Sequence, residues 1–220
     1  KKVASMSVFG FKDPRTAKLM PFWKGVFDHC QFDVSYVIAI RHPHSVAKSL
    51  ERRGGMETTQ SHLLWLGHLI NSLAGSAGYK RVLVDYDCLM HSPDHELNRM
   101  AKHLDLEIDP SELQSYMTEF IDPGLRHTAF KPNDFLLDGA CPPIVREAYI
   151  ALLDVASDKI SLDDLECDVV RWLGEFGRLK SPLLLLDKLY AKITERDIQL
   201  LEIGAQLHER NMSIAFLEEQ

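Results

Sequence analysis

The sequence predicts an α/β domain with a parallel sheet in three layers, followed by helices and a long C-terminal helix. Short apolar runs at 5–11, 34–40 and 81–86 alternate with segments of helical periodicity, which is typical of this fold class. The run at 34–40 is of the continuously apolar type that is typical of strands in a parallel sheet, which are buried on both faces. A heptad pattern after residue 182 predicts the long helix.

The expected elements follow from this alternation. Strands at 5–11, 34–40 and 81–86 are separated or followed by helices at 21–30, 43–53, 59–76, 94–105, 110–120, 143–157 and 162–178. Ser161 and Asp164 have the spacing of a capping box. The loop at 121–142 is rich in Pro, Gly, Asp and Asn, and its length is typical of a lid or a binding loop. Trp23 and Trp65 are interpreted as core residues.

The C-terminal segment carries a heptad repeat. Apolar residues fill one position in every heptad, at Leu186, Ile193, Leu200, Leu207 and Ile214. The offset position holds Leu189, Arg196, Ile203, Arg210 and Leu217. About five heptads of this kind predict a coiled coil that pairs with a second copy or with another helix. The alternative is an amphipathic helix that packs on its own domain.

Composition narrows the class of protein. The 220 residues carry a net charge of -7, which argues against a general nucleic-acid binder because such proteins need a broad basic face. The four cysteines form no CxxC pair, and this usage favours a reduced, cytoplasmic compartment. No apolar run approaches the ~18 residues that would span a bilayer.

The junction between the second strand and the next helix is a candidate anion site. Arg41 ends the apolar run, Pro43 opens the helical pattern, and Ser49 follows eight residues after the arginine. The N–H groups at a helix start attract phosphate, and an arginine adds a planar charged fork. The segment predicts a phosphate site or, equally well, an ordinary junction with a solvated arginine.

A second candidate is the turn KDPR at 12–15. It is expected at the C-terminal end of the first strand, the edge where open α/β sheets bind ligands. A lysine there neutralises charge that develops on a bridging oxygen during phosphoryl or sulfuryl transfer, which makes Lys12 the candidate. Asp13 is interpreted as the cap of the turn, with a role as a base as the alternative.

Together these segments resemble the sulfotransferase family, in particular its bacterial members. The likeness covers roughly residues 5–157 and rests on KDPR, the PFW helix, VIAIRHPHSVAKSLERR, LLWLGHL and VLVDYDCLMHSP. It implies a sheet of the P-loop type and a donor, 3′-phosphoadenosine 5′-phosphosulfate, with no metal. The acceptor is a hydroxyl, for which we expect a carbohydrate.

The resemblance also implies roles for individual residues. Arg41 and Ser49 match the arginine and serine that bind the 3′-phosphate of the donor, and Lys12 matches the lysine of the similar KDP motif in tyrosylprotein sulfotransferases. Tyr86 loosely matches a tyrosine that lies near the adenine. Arg126 and Lys131 in the long loop are candidates for basic residues that return to the nucleotide.

One part of the family pattern is absent from the sequence. No GxxxxGK[ST] loop is present to hold the 5′-phosphosulfate. We expect that this loop lies upstream of Lys1 or that the chain is a non-catalytic relative. A nucleotide-dependent kinase on a related P-loop fold is the other alternative. The HxH pair of His42 and His44 has no partner at metal-ligand spacing, so both are interpreted as turn residues near the anion site.

The predicted organisation is therefore a sulfotransferase-like domain at 1–157, a helical extension at 158–181 and a coiled-coil helix at 182–220.

Overall fold

Two parallel strands form the sheet in the computed structural model, which describes residues 8–121, 130, 134, 139 and 141–218. β1 (Ser35–Ile40) pairs with β2 (Lys80–Asp85), and Ile40 lies opposite Asp85. Both strands lie within one residue of their predicted bounds. The α/β class and the parallel pairing are confirmed.

Helices account for most of the described chain. They are α1 (Met20–Cys30), α2 (Pro43–Gly54), α3 (Thr58–Gly75), α4 (Tyr86–His91), α5 (Pro93–Leu104), α6 (Pro110–Ser115), α7 (Pro143–Ala156) and α8 (Glu166–Glu218). Short helical turns at Thr16–Lys18, Tyr116–Phe120 and Asp163–Leu165 link them. Several of these helices carry a proline in the first turn, where its missing N–H costs no hydrogen bond.

The expected first strand is not formed at residues 8–11, the part of it that the structure describes. Phe9 and Phe11 are 40% and 49% exposed, and their rings contact Phe32 and Trp23. A short apolar run looks the same in the sequence whether it forms a strand or packs as an irregular segment against aromatic side chains. The sequence pattern therefore could not distinguish these two structures. The three-layer sheet is therefore not seen in the described residues, and the KDPR turn does not follow a strand.

The two strands differ in burial. Val82, Leu83 and Val84 of β2 are all buried, as expected for a strand covered on both faces, and α5 and α7 pack along it. β1 instead alternates: Ile38 and Ile40 are buried, while Val37 is 49% exposed. Within the described chain, β1 pairs only with β2, which explains why its continuous apolar run is only half buried.

The C-terminal helix is longer than expected. α8 continues through Pro182, so the predicted interruption between 178 and 182 is absent. Residues with good helix propensity flank the proline and offset the single hydrogen bond that it removes. The predicted capping box is confirmed, since Ser161 N donates to the Asp164 carboxylate at 2.7 Å and Asp164 N donates to Ser161 Oγ at 3.2 Å.

The chain divides into two units, Lys1–Leu173 and Gly174–Gln220. The first contains the sheet and the helices from α1 to α7. The second consists, where the structure describes it, of the remainder of α8. Among the described helices, none combines the length and the apolar character needed to cross a membrane.

Candidate functional site

The carboxyl ends of the two strands bring Arg41 and Tyr86 together. Each residue directly follows its strand, and the register of Ile40 opposite Asp85 places both at one edge of the sheet. The guanidinium carbon of Arg41 lies 4.6 Å from the centre of the Tyr86 ring. Arg41 Nε is buried and has no hydrogen-bond partner within the described residues, so the fork retains a donor for a ligand.

The backbone of Arg41 is held by α3. Trp65 Nε1 donates to the Arg41 carbonyl oxygen at 3.1 Å. The tryptophan was predicted as a core residue, and it also bonds the strand end. Its spacing on an apolar helix carries no signal of this contact, because the partner lies on a different element.

The start of α2 is capped by the protein itself. His42 Nδ1 accepts a hydrogen bond from the backbone N–H of His44 at 3.2 Å, and Pro43 has no N–H to offer. His42 and Pro43 are also buried. The N–H of His44 is therefore already bonded and Pro43 has none, so the helix start offers an anion fewer N–H groups than expected and a phosphate here would depend more on side chains.

The histidines near this turn form a packed cluster. His44 Nδ1 and His62 Nε2 lie 3.0 Å apart in a hydrogen bond, so one ring must donate and the other accept. His42 and His62 are fully buried, and the His42 ring stacks with Phe130 and meets Tyr149 edge-on. The residues that follow Arg41 are therefore packed into the interior of the first unit.

Ser49 lies in α2 beside its basic residues, Lys48, Arg52 and Arg53. It is half-buried, and its carbonyl accepts a hydrogen bond from Arg53 Nε at 3.4 Å. Lys48 Nζ is positioned 4.7 Å from the centre of the Phe130 ring. The helix thus keeps cations next to Ser49, as the charge pattern predicted.

The KDPR turn is organised by an internal ion pair. Asp13 accepts a hydrogen bond from the backbone N–H of Arg15 at 2.8 Å and is paired with the guanidinium of the same residue. Hydrogen bonds from Arg15 lower the pKa of Asp13 to about 2. Asp13 is therefore the cap of the turn, and its low basicity does not suit a catalytic base. Lys12 is exposed beside it.

The same helix, α3, contacts both candidate segments. Burial and then the nearby charge of Lys18 lower the pKa of His68, while the Pro14 carbonyl near its ring raises it. His68 lies three residues after Trp65, which places the two on neighbouring positions of one helix face. The KDPR turn and the Arg41 backbone therefore lie near positions of α3 that are about one helical turn apart.

Sequence reasoning missed a buried acid beside the edge. Asp85 is 2% exposed, its Oδ1 caps α4 by accepting from Cys88 N at 2.9 Å, and its Oδ2 has no hydrogen-bond partner in the described chain. Burial raises the pKa of Asp85, and burial and then the nearby Asp85 raise that of Tyr149. An aspartate between an apolar run and a helix start was the available signal.

A groove of about 610 Å³ lies between α4, α5 and the end of α7. It contains none of Arg41, Ser49 or Tyr86. Its buried cation, Arg99, is bonded to Glu96, to Asp158 and to the Leu83 carbonyl, so the charges of the groove are largely paired internally. The Arg41 edge, where a buried donor remains, is the better candidate for an anionic ligand.

Two predicted site residues, Arg126 and Lys131, lie outside the described residues. Among the residues described, no group of three or more His, Cys, Asp or Glu side chains could hold a metal ion.

Comparison of the chain with protein-family models, with curated proteins and with solved structures finds no match.

Proposed function

We propose that the first unit belongs to a sulfotransferase that uses 3′-phosphoadenosine 5′-phosphosulfate and acts on a hydroxyl, with a carbohydrate as the expected acceptor. The reaction breaks the bond between sulfur and the 5′-phosphate oxygen and forms one between sulfur and the acceptor oxygen. The acceptor proton passes to a base, and adenosine 3′,5′-bisphosphate leaves. The proposal rests on the resemblance of the sequence and on the geometry around Arg41.

The observation that carries the proposal is the contact of Arg41 with Tyr86. It places a permanent cation against an aromatic face at the carboxyl edge of a parallel sheet, where open α/β folds bind ligands. In this proposal Arg41 binds the 3′-phosphate through its fork and Ser49 adds a hydroxyl from the second turn of α2. Tyr86 keeps the guanidinium in place and lies near the adenine ring of the donor.

Lys12 has a separate role in the proposal. It stabilises the negative charge that develops on the leaving phosphate oxygen. Two features support it: Lys12 is exposed, while the charge of its neighbour Arg15 is paired with Asp13. The attachment of this turn to α3 near Trp65 brings it to the side of the helix that also holds Arg41.

The 3′-phosphate provides a direct test. The chain is titrated with adenosine 3′,5′-bisphosphate and with 5′-AMP, which lacks only that phosphate, by calorimetry. We expect tighter binding of the bisphosphate and a loss of about 2 kcal/mol of that preference in Arg41→Ala, because a charged hydrogen-bonded pair is removed. Arg52→Ala, on the exposed part of the same helix, is the control and changes the affinity less than about threefold.

Turnover separates an enzyme from a non-catalytic relative. The protein is assayed for transfer of labelled sulfate to carbohydrate acceptors, with Lys12→Ala beside it. We expect the variant to bind adenosine 3′,5′-bisphosphate normally and to lose about 100-fold or more in kcat, because Lys12 stabilises only the charge that develops in the transition state. Binding that shows no preference for the 3′-phosphate contradicts the proposal. Binding without turnover favours the non-catalytic alternative.

We also propose that the second unit mediates self-association through residues 182–220. The heptad residues of this part of α8 whose side chains the structure describes are exposed, which supports a role in pairing. Sedimentation of the chain with and without residues 182–220 tests it. We expect a dimer or larger species that becomes a monomer on truncation, and a monomer in both cases contradicts the proposal.

A further inference from the structure

The second unit presents its apolar seam to solvent from Leu186 to Ile214, wherever the structure describes the side chains. The exposed fractions lie between 46% and 65% for the apolar seam residues whose side chains the structure describes, Leu186, Leu189, Ile193, Leu200, Ile203, Leu207 and Ile214. The helix is continuous across this segment. A stripe of this length is stable in water when a second helix covers it.

The order of residues in the seam is self-complementary. In an antiparallel pair, the first heptad position of one helix packs against the offset position of the other. If Leu200 lies opposite Ile203 of a second copy, every seam position from 186 to 217 finds a seam position of that copy, with no overhang at either end. In this register a second copy covers every seam position and puts no arginine opposite an arginine, so the segment can cover its own seam.

The two seam arginines decide the orientation. In the antiparallel register Arg196 lies opposite Leu207 of the second copy, and Arg210 lies opposite Ile193. The aliphatic stem of each arginine can then pack on an apolar side chain while its head reaches solvent. In a parallel, in-register pair each arginine would lie opposite the same arginine of the other chain. The seam would then contain two pairs of like charges, one at position 196 and one at position 210.

The charges beside the seam favour the parallel pair only weakly. Lys192 would lie near Asp197 of the other chain in that orientation. Exposed ion pairs of this kind contribute little, whereas like charges held in an apolar seam are costly because they lose solvent as well as repel. The balance therefore favours the antiparallel pair.

We propose that residues 186–217 pair with the same residues of a second copy of this chain in an antiparallel coiled coil, with Leu200 opposite Ile203 of that copy. The inference rests on the self-association proposed above and adds its orientation and register.

Matched glutamate substitutions test the register. Leu200→Glu places a carboxylate opposite Ile203 and weakens the association on the order of 100-fold, since an apolar contact is lost in both symmetric layers. Leu207→Glu, at the same heptad position, places its carboxylate opposite Arg196, and we expect a loss of less than about tenfold. A parallel pair would lose affinity comparably in both variants, and that result overturns the proposal.

Cross-linking tests the orientation independently. In a background in which the exposed Cys30, Cys88 and Cys167 are serine, chains with Ile193→Cys and with Arg210→Cys carry different tags and are mixed. We expect a disulfide between the two different chains. These positions lie about 25 Å apart along one helix, so a parallel pair cannot form that bond and would link each variant to itself instead.

The outcomes remain distinguishable. Homotypic disulfides with an intact dimer overturn the orientation and leave self-association standing. A chain that sediments as a monomer before any substitution overturns both.

Discussion

Arg41 and Tyr86 meet across the end of the parallel sheet, with the guanidinium carbon 4.6 Å from the ring centre. Each residue directly follows the last residue of its strand, and the pairing of Ile40 with Asp85 places the two at the same edge of the sheet. A guanidinium over an aromatic face gains about 0.5–2 kcal/mol, more as it is desolvated. Tyr86 therefore holds Arg41 in one orientation before any ligand arrives.

This contact predicts that the ring of Tyr86, and not its hydroxyl, positions Arg41. Tyr86→Leu should weaken the binding of adenosine 3′,5′-bisphosphate by about 5- to 30-fold, because the arginine loses its aromatic support. Tyr86→Phe keeps the ring and should stay within about threefold of the unmodified chain. Calorimetric titration measures both, and equal losses in the two variants would assign the effect to the hydroxyl.

Arg99 is expected to be essential for stability. Its side chain is 8% exposed, and it bonds Glu96, whose side chain is 6% exposed, as well as the Leu83 carbonyl at 2.6 Å. Arg99→Met should lower the free energy of unfolding by about 3–5 kcal/mol, since it leaves a buried carboxylate without its cation. Urea-induced unfolding measures the change.

Two further variants isolate that cause. Arg99→Met with Glu96→Leu should be more stable than Arg99→Met by itself, because the second change removes the uncompensated charge. Lys159→Met breaks the exposed pair with Asp154 and should cost less than about 1 kcal/mol. A double variant no more stable than the single one would mean that the arginine acts mainly through the Leu83 carbonyl.

Asp85 predicts an unusual dependence of stability on pH. Burial raises its folded pKa above the ordinary value of 3.8, so the native state takes up the proton more readily than the unfolded chain. The charged form therefore costs stability, and this cost appears as the pH rises from 3.8 through the folded pKa. Asp85→Asn can still cap α4 and should be more stable than the unmodified chain at pH 7, with the difference closing toward pH 3.8.

Asp109 at the start of α6 is the matched control, because its shift has the opposite sign. Hydrogen bonds from Ser111 lower its folded pKa, so it contributes stability above 3.8 that is lost as the pH falls through the folded value. Asp109→Asn should therefore be less stable at pH 7. Urea-induced unfolding at several pH values follows both variants, and a shared direction at pH 7 would contradict the assignment.

Gly75 marks a close approach between α3 and α1. A Cβ at this position would lie 2.9 Å from Met20 Cγ, and Met20 is 5% exposed. Gly75→Ala should destabilise the fold by about 1–3 kcal/mol through overpacking. Gly25→Ala in α1 meets nothing within 4 Å and should stabilise it by up to about 1 kcal/mol through helix propensity. Thermal unfolding compares the two, and a neutral Gly75→Ala would mean that Met20 moves freely.

Patterns that are local in the chain were sufficient for much of the fold. The two strands, most helix starts and the capping box of Ser161 with Asp164 follow from periodicity, proline positions and side chains that bond within three residues. The heptad helix follows from the spacing of its apolar residues. Its continuation through Pro182 was missed because a proline usually ends a helix, whereas here the helix propensity of the neighbouring residues outweighs the one hydrogen bond that is lost.

By itself, the sequence determined that Arg41 directly follows a strand and that Ser49 lies in the next helix, since these boundaries are set by local chemistry. It predicted Tyr86 as the last residue of a strand, whereas the structure begins α4 at this residue. Only the tertiary structure decided that Arg41 stacks on Tyr86 and that Trp65 holds its carbonyl. The same holds for residues 8–11, which pack against aromatic side chains without joining the sheet. Burial and contact depend on residues far apart in the chain, and one sequence carries no periodic signal of those pairings.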